Sequence, residues 1–491
     1  MPPEETLKRV LPLLKTAGLG EPEDITDKDN IGIPVFSVDR QETALGKPKY
    51  YNGKGATREQ AEASAVMESI ERYSAEQRDT DEIVYGTYEQ ACDVMMAVNP
   101  VDLILPLRVL DHLQGQEIAW VEGFEMFRGC PIWVPACAVV YPYVPDTDYQ
   151  LFRWHTNGIA SGNTMEEAIL HALFEDIERD AWSIAEFQDR TNADILIRDK
   201  DSVPAQLIEK FESQGIEIHL KDLTTDLGIP TIGASADDTV TKDPELLTIG
   251  VGTHLNPQIA AIRAITEVAQ SRTTHKHGMK INAQLQKVSQ DMGYERIKKV
   301  NHMWFGENQK KVYLEDIPDK STPYVLDDIE VVLGRLMECG FDQVVAVDLT
   351  RPELGVPAVR MIVPGLEVST MDPEREGGRL RGMWPPVRRS GSSISHAGGS
   401  TAGCLRKRMP GRRPGYEGFH SHSMVAQGLG ERSYRTRLTP LTSARMRCVI
   451  LLRSGQGISS TVAVMASVVF TARMTTGQSH SLFPSLTPVE R

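Results

Sequence analysis

Glu68-Ser69-Ile70-Glu71-Arg72 and Glu175-Asp176-Ile177-Glu178-Arg179 write one pattern, Glu-x-Ile-Glu-Arg, twice in a chain of 491 residues. On a helix, three-residue spacing sets both carboxylates on one face with the arginine beside them. The flanks support a helix in each case. Ala61, Ala63, Ala65, Val66, Met67 and Ile70 accompany the first copy, and Ile169, Leu170, Ala172, Leu173, Phe174 and Ile177 the second, so each helix has an apolar face. For either copy alone a plainer reading competes, because Glu68 with Arg72 and Glu175 with Arg179 are spaced four apart, as ordinary surface ion pairs are. A third segment weighs against it: Arg263 to Arg272 carries Glu267 and Gln270 three apart between two arginines.

Oxygen-only ligands select hard cations such as Mg2+, which is usually held jointly by carboxylates and nucleotide phosphates. Arginine adds a planar fork that meets phosphate oxygens in pairs, which lysine cannot copy. Three such helices therefore point to nucleotide phosphate bound through magnesium. Neither GxxxxGK[ST] nor a GxGxxG following a strand occurs, so neither a P-loop nor a Rossmann site is expected.

The net charge of -14 argues against nucleic acid as the main partner. The six cysteines, Cys92, Cys130, Cys137, Cys339, Cys404 and Cys448, form no CxxC pair, which argues against zinc and iron-sulfur centres. No signal peptide or bilayer-length apolar run occurs, so a cytoplasmic, membrane-free setting is expected.

Residues 4 to 18 read as a short amphipathic helix ended by Gly18 and Gly20, followed by an acidic linker through Asn30. Helices are expected at 60–80, 164–188, 203–214, 256–275 and 325–339, and strands at 31–38, 119–127, 215–220, 230–236, 246–252 and 343–349, with strand and turn at 131–145. The order lacks the regular period of a doubly wound sheet, so the fold class is a compact mixed α/β domain. From Gly377 onward there are 16 Arg, 1 Lys, 3 Glu and no Asp, a net of +14 against -28 for the first 376 residues. The expected organisation is a helix and linker at 1–29, a catalytic domain at 30–376, and a basic low-order tail at 377–491. The abrupt loss of acids and the replacement of Lys by Arg mark that tail as a frameshifted reading. His275 and His277 read as a helix end, His171 as a packed helix histidine, and Trp120, Trp133, Trp154 and Trp182 as core.

The motifs resemble those of the YcaO family, ATP-dependent enzymes that activate peptide-bond oxygens. The resemblance runs through Asn52-Gly53-Lys54-Gly55-Ala56-Thr57, Ser64 to Ser74, Thr156 to Thr164, Glu166 to Ile169, Glu175 to Asp180, Arg263 to Arg272, and Val363-Pro364-Gly365-Leu366-Glu367. It implies a YcaO-like fold with an ATP and Mg2+ site. Glu68, Glu71, Glu175 and Glu178 would be the acidic ligands, with Glu167, Glu267 and Gln270 in the same shell. Ser64, Asn163, Arg179 and Arg263 would meet the nucleotide, Arg179 at a phosphate, so that Arg179, Glu175 and Glu178 carry the catalysis. Lys54 is a further nucleotide contact, in a Gly-Lys-Gly turn read as joining two elements.

In this family ATP converts an amide oxygen into a phosphate ester, which a sulfur or oxygen nucleophile displaces. Asn30 to Val35 and Leu349 to Pro357 resemble the standalone archaeal members, which in methanogens act with a TfuA protein to thioamidate a glycine of the methyl-coenzyme M reductase α subunit. The residues before Asn30 leave little room for a leader-binding domain, and no PxPxP motif stands at Thr487 to Arg491, so a leader-binding azole former is not the first expectation. The expected partners are thus a protein or peptide substrate, a TfuA-like protein and a sulfide donor, with a homodimer among the expected assemblies. Two alternatives stand beside thioamidation: an azoline-forming cyclodehydratase acting on a ribosomal peptide, and a nucleotide-binding accessory protein without turnover.

Overall fold

Each carboxylate helix begins where its sequence supplies a cap. Thr57 and Gln60 form a reciprocal capping box ahead of Arg58–Ser74. Thr164 accepts from the Glu167 amide ahead of Met165–Gln188, and Asn256 accepts from Gln258 and Ile259 ahead of Pro257–Lys276, with Pro257 in the first turn. The computed structural model describes residues 1–78, 80–144, 149–277 and 283–383. Expectations for 384–491 lie outside the described residues.

The first helix ends at Ser74, six residues short of the expected 80. The Ser74 carbonyl accepts from Arg351 Nε at 3.0 Å, and the Glu76 side chain receives both terminal nitrogens of Arg40 at 2.8 and 2.9 Å. Tertiary partners distant in sequence thus end a pattern that is locally still helical.

Three sheets carry the helices. Glu23–Asp24, Val35–Arg40 and Lys49–Lys54 form an antiparallel three-stranded sheet. The helix Arg58–Ser74 lies on it, burying Ala61, Ala65, Val66 and Ile70 with Val38, Tyr51 and residues of Pro3–Val10. Gly53 permits the approach, because a Cβ there would sit 1.9 Å from the Ala65 amide nitrogen. A five-stranded sheet runs Thr248–Thr253, Thr231–Asp238, Ile216–Asp222, Ala193–Leu196 and Lys311–Tyr313, with only the last pair parallel. Pro257–Lys276 and Val203–Glu212 pack on it through Ala260, Ala264, Ile265, Val268, Leu207 and Phe211. The third sheet orders Val84–Gly86, Ile118–Glu125, Val345–Asp348, Ala358–Ile362 and Ile159–Ser161, with Cys130–Pro135 as a hairpin partner of Ile118–Glu125. Met165–Gln188 packs through Ala168, Leu173 and Ile177 against Val359, Met361 and the helix Val325–Glu338. Each such large apolar side chain contributes roughly 1.5–3 kcal/mol on burial.

The alternation is irregular and the sheets are mostly antiparallel, so the mixed α/β class holds. Residues 377–383 belong to the folded unit, contrary to the expected boundary at 376. Arg379, 6% exposed, pairs with Asp180 at 2.8 Å, and the Gly377 and Leu380 amides donate to Glu367 at 2.8 and 3.1 Å. Among the described residues no helix is long and apolar enough to cross a membrane.

Candidate active site

Hydrogen bonds join the three carboxylate helices to one another's sheets. The Thr253 amide, at the end of its strand, donates to Glu178 Oε2 at 3.2 Å. Ser161 donates to the Met67 carbonyl at 2.9 Å, and Gln270 donates to the Asn52 carbonyl. The acidic faces converge on Lys54, which ion-pairs with Glu267 at 3.0 Å. Lys54 closes the strand Lys49–Lys54 rather than occupying a connecting turn, because Gly53 on either reading must lie flat against the helix.

The plain surface-pair reading fails on burial. Arg72 and Arg179 are 2% and 1% exposed, and Glu71, Glu175, Glu178 and Glu267 are all buried. Arg72 lies 2.7 Å from Glu71 and 3.5 Å from Glu68. Arg179 lies 3.8 Å from Glu175 and 3.9 Å from Glu178, too far for a hydrogen bond to either. Its Nε reaches Asn157 Oδ1 at 3.4 Å, while its Nη1 and Glu175 Oε1 are buried without a hydrogen-bond partner among the described residues. Arg263 Nη1 meets His171 Nε2 at 3.3 Å, and its buried Nε is likewise unpartnered among the described residues.

Concentrated buried carboxylate charge shows in the titration of the site. Burial, reinforced by Glu175 and opposed by Arg72, pushes Glu68 up and Glu71 well up from the usual carboxylate range. Burial, then Glu267, raises Glu178 to about 7. Such a set favours added positive charge, and the unpartnered donors of Arg179 and Arg263 favour added anionic oxygen. Mg2+ with nucleotide phosphate supplies both, so the residues present fit the implied cofactors.

Not every expected residue joins the cluster. Glu167 lies eight residues, about 12 Å, before Glu175 on the same helix, and meets the Asn163 amide and side chain at 3.0 Å and the Met1 amine at 3.2 Å. Ser64 is half-buried one turn before Glu68. Arg272, which flanks the third motif, faces away and pairs with Asp29 at 3.2 Å and Asp238 at 3.0 Å. Among the described residues the only acid or histidine triad whose ligand atoms lie within 4.8 Å of one another is Glu217, His219 and Asp237, on the five-stranded sheet. The site carboxylates are therefore spread wider than a single-ion cage, in pairs that each keep their own arginine. Sequence reasoning passed over Asn157 and Asp176: the Asn157 amide donates to Asp176 Oδ1 at 2.8 Å, leaving its oxygen toward Arg179. The signal was available, since Asp176 lies inside the second motif.

Buried glutamates and arginines on three helices around one lysine define a nucleotide-phosphate enzyme of the Mg2+-dependent kind. The model of the YcaO family, described as a cyclodehydratase that binds ATP and Mg2+, matches residues 52–367. A Methanothermobacter thermautotrophicus protein is 46% identical over 382 residues, 77% of this chain and 97% of its own length. A Rhizobium leguminosarum bv. trifolii protein, encoded in the tfuA 3′ region, is 29% identical over 375 residues, 74% of this chain and 88% of its own. The solved structure of YcaO from Methanopyrus kandleri bound with AMPPCP and Mg2+ matches with TM-score 0.64 at 29% identity, over 77% of this chain and 94% of that one. The chain belongs to the YcaO family of ATP-dependent, backbone-activating enzymes, and ATP and Mg2+ are its cofactors.

Proposed function

We propose that the chain is an ATP-dependent peptide thioamidation enzyme, acting with a TfuA-like partner on a glycine of the methyl-coenzyme M reductase α subunit. The peptide amide oxygen takes the γ-phosphoryl group of ATP, and sulfide then adds to the amide carbon as phosphate leaves. The observation that carries the sulfur reading is the relative encoded in the tfuA 3′ region. The methanogen relative at 46% identity supports the target.

Glu68, Glu71, Glu175 and Glu178, with Glu267 and Gln270, would hold Mg2+, which supplies positive charge to the phosphate oxygens. Glu167 and Asn163 would stand at the outer edge of the nucleotide, with Ser64, on the first carboxylate helix, assigned to the nucleotide as well. Arg179, whose Nη1 and long carboxylate contacts leave it donors to spare, is assigned to the transferred phosphoryl group. Lys54 holds Glu267 in place and keeps the three acidic faces from separating through mutual repulsion. Arg263 is assigned to the nucleotide on the same ground of an unpartnered donor. Burial of the site excludes the water that would otherwise hydrolyse a phosphorylated amide.

A second reading, azoline formation on a ribosomal peptide, is favoured by the cyclodehydratase description of the family. Mass spectrometry of the proteome of a deletion strain separates the two. Thioamidation predicts that an oxygen-to-sulfur mass shift disappears from methyl-coenzyme M reductase. Loss of a dehydrated peptide instead, with the reductase unchanged, would overturn the proposal in favour of the second reading.

A further inference from the structure

On the second carboxylate helix Trp182 lies three residues beyond Arg179, a spacing that makes side chains neighbours. The Arg179 guanidinium carbon stands over its ring, 5.2 Å from the ring centre. The other contacts of Arg179 supply attraction but little direction. Glu175 and Glu178 lie at 3.8 and 3.9 Å, beyond hydrogen-bond reach, and Asn157 Oδ1 accepts from its Nε at a long 3.4 Å. Coulomb attraction depends on distance and not on angle, so the two glutamates draw the guanidinium in without fixing the plane of its fork. A ring face does constrain it, because the attraction is to the π cloud and is lost when the cation slides off that face.

Trp182 is itself firmly held. It is 2% exposed, and its Nε1 donates to Glu186 Oε1 at 3.1 Å, one turn further along the helix. Trp304, fully buried, meets the Trp182 ring edge-on, with centres 6.1 Å apart and planes at 78°. The Trp304 Nε1 donates to the same Glu186 oxygen at 2.9 Å. Both bonds use one oxygen, so a proton on the other leaves them intact. Trp304 belongs to the short helix His302–Phe305, and its carbonyl accepts from Ser235 on the five-stranded sheet at 2.9 Å. Gly233 on that sheet makes room for the Trp304 ring, since a Cβ there would lie 2.5 Å from Cζ3. A continuous bracket thus runs from the sheet through two indoles to Arg179. Apolar volume alone would be met by leucine or phenylalanine at 182, and neither needs a carboxylate placed to receive an N–H.

We propose that Trp182 is a positioning residue for phosphoryl transfer: its indole face, set by Glu186 and Trp304, holds the Arg179 guanidinium in the orientation that meets the transferred phosphoryl group. This rests on the assignment of Arg179 to that group, and it holds whether sulfide or a side chain of the peptide makes the later attack. The action of Trp182 runs through Arg179. A preorganised donor counts most where charge develops in the transition state, so the effect belongs to the chemical step more than to nucleotide binding.

Replacing Trp182 in the full chain, at that position alone, by mono-, di- and trifluorotryptophan tests this. Fluorine draws charge from the ring face while the shape and the N–H are kept, so the fold is preserved and the cation–π contact weakens in steps. The kcat for phosphate release at saturating ATP and peptide should fall with each fluorine, by roughly tenfold across the series, while the KM for ATP moves less than about twofold. A role confined to core packing predicts a flat series, and a kcat constant to within about 1.5-fold would overturn the inference. So would a KM for ATP that rises while kcat stands still, because Trp182 would then serve ground-state binding. Arg179→Lys, measured beside the series, separates the two possible failures. If that variant is nearly inactive and the fluorinated series is flat, this inference falls and the assignment of Arg179 stands. If it turns over at nearly the wild-type rate, the assignment falls and takes this inference with it.

Discussion

Replacing Arg179 by lysine separates a phosphate-binding role from a structural one. The contacts of Arg179 are long: 3.8 Å to Glu175, 3.9 Å to Glu178 and 3.4 Å to Asn157, with its guanidinium carbon 5.2 Å from the Trp182 ring centre. Lysine keeps the charge and therefore most of the Coulomb attraction to the two glutamates. What it loses is the hydrogen bond to Asn157, about 0.5–1.5 kcal/mol, and part of the cation–π contact, about 0.5–1 kcal/mol. The expected loss of stability is thus about 1–2.5 kcal/mol, visible as a modest shift of the urea midpoint. Loss of a preorganised phosphoryl-stabilising donor should cost about 100-fold or more in turnover. Phosphate release at saturating ATP and peptide, measured beside urea unfolding of the same preparation, reads both. A variant that unfolds much earlier but turns over at nearly the wild-type rate would refute the assignment and make Arg179 a structural residue.

Glu175→Gln should lower ATP consumption by about 100-fold or more, because it removes one carboxylate of the charge-shielding set; near wild-type turnover would remove Glu175 from that set. Lys54→Met should cost about 1–3 kcal/mol without Mg2+, since the buried Glu267 carboxylate loses its lysine partner, and Mg2+ should restore part of it; differential scanning calorimetry with EDTA and with Mg2+ checks both arms. Glu178, raised to about 7 in the metal-free protein, implies stability that is complete below pH about 4.5 and declines as pH rises through 7, by up to about 3 kcal/mol. Its sign follows from a carboxyl that binds its proton more tightly folded than unfolded, and the decline should shrink when Mg2+ is present. Truncation after Glu376 strips Asp180, 0% exposed, of Arg379 and should cost about 3–5 kcal/mol; truncation after Met383 keeps this pair and should leave the described fold intact, as limited proteolysis and urea melts would show.

The three carboxylate helices were legible because their signals are local: Thr57, Thr164 and Asn256 as caps, and acids three apart on an apolar periodicity. Ends set by distant partners were not. Glu76 and Arg78 continue a helical pattern in sequence, and only Arg40 and Arg351 bring that helix to a stop. Ala358–Ile362 escaped notice because all five residues are buried, so the alternation that marks a one-sided strand is absent. With it went Arg360, whose burial nothing in the surrounding sequence announces. Lys54 was placed in a turn because Gly-Lys-Gly usually is one; Gly53 is there for helix contact. The acidic pattern of the site could be seen in sequence, whereas the pairing of Lys54 with Glu267 and of Asn157 with Asp176 joins segments that only the fold brings together.

The central claim is that ATP phosphorylates the oxygen of a peptide bond. A peptide substrate carrying heavy oxygen at the target carbonyl, turned over with ATP, Mg2+ and sulfide, tests it by mass spectrometry of the released phosphate. One heavy oxygen per phosphate formed with product is the predicted result. Unlabelled phosphate alongside modified peptide would contradict it, because the carbonyl oxygen would then have left by a route that does not pass through phosphate.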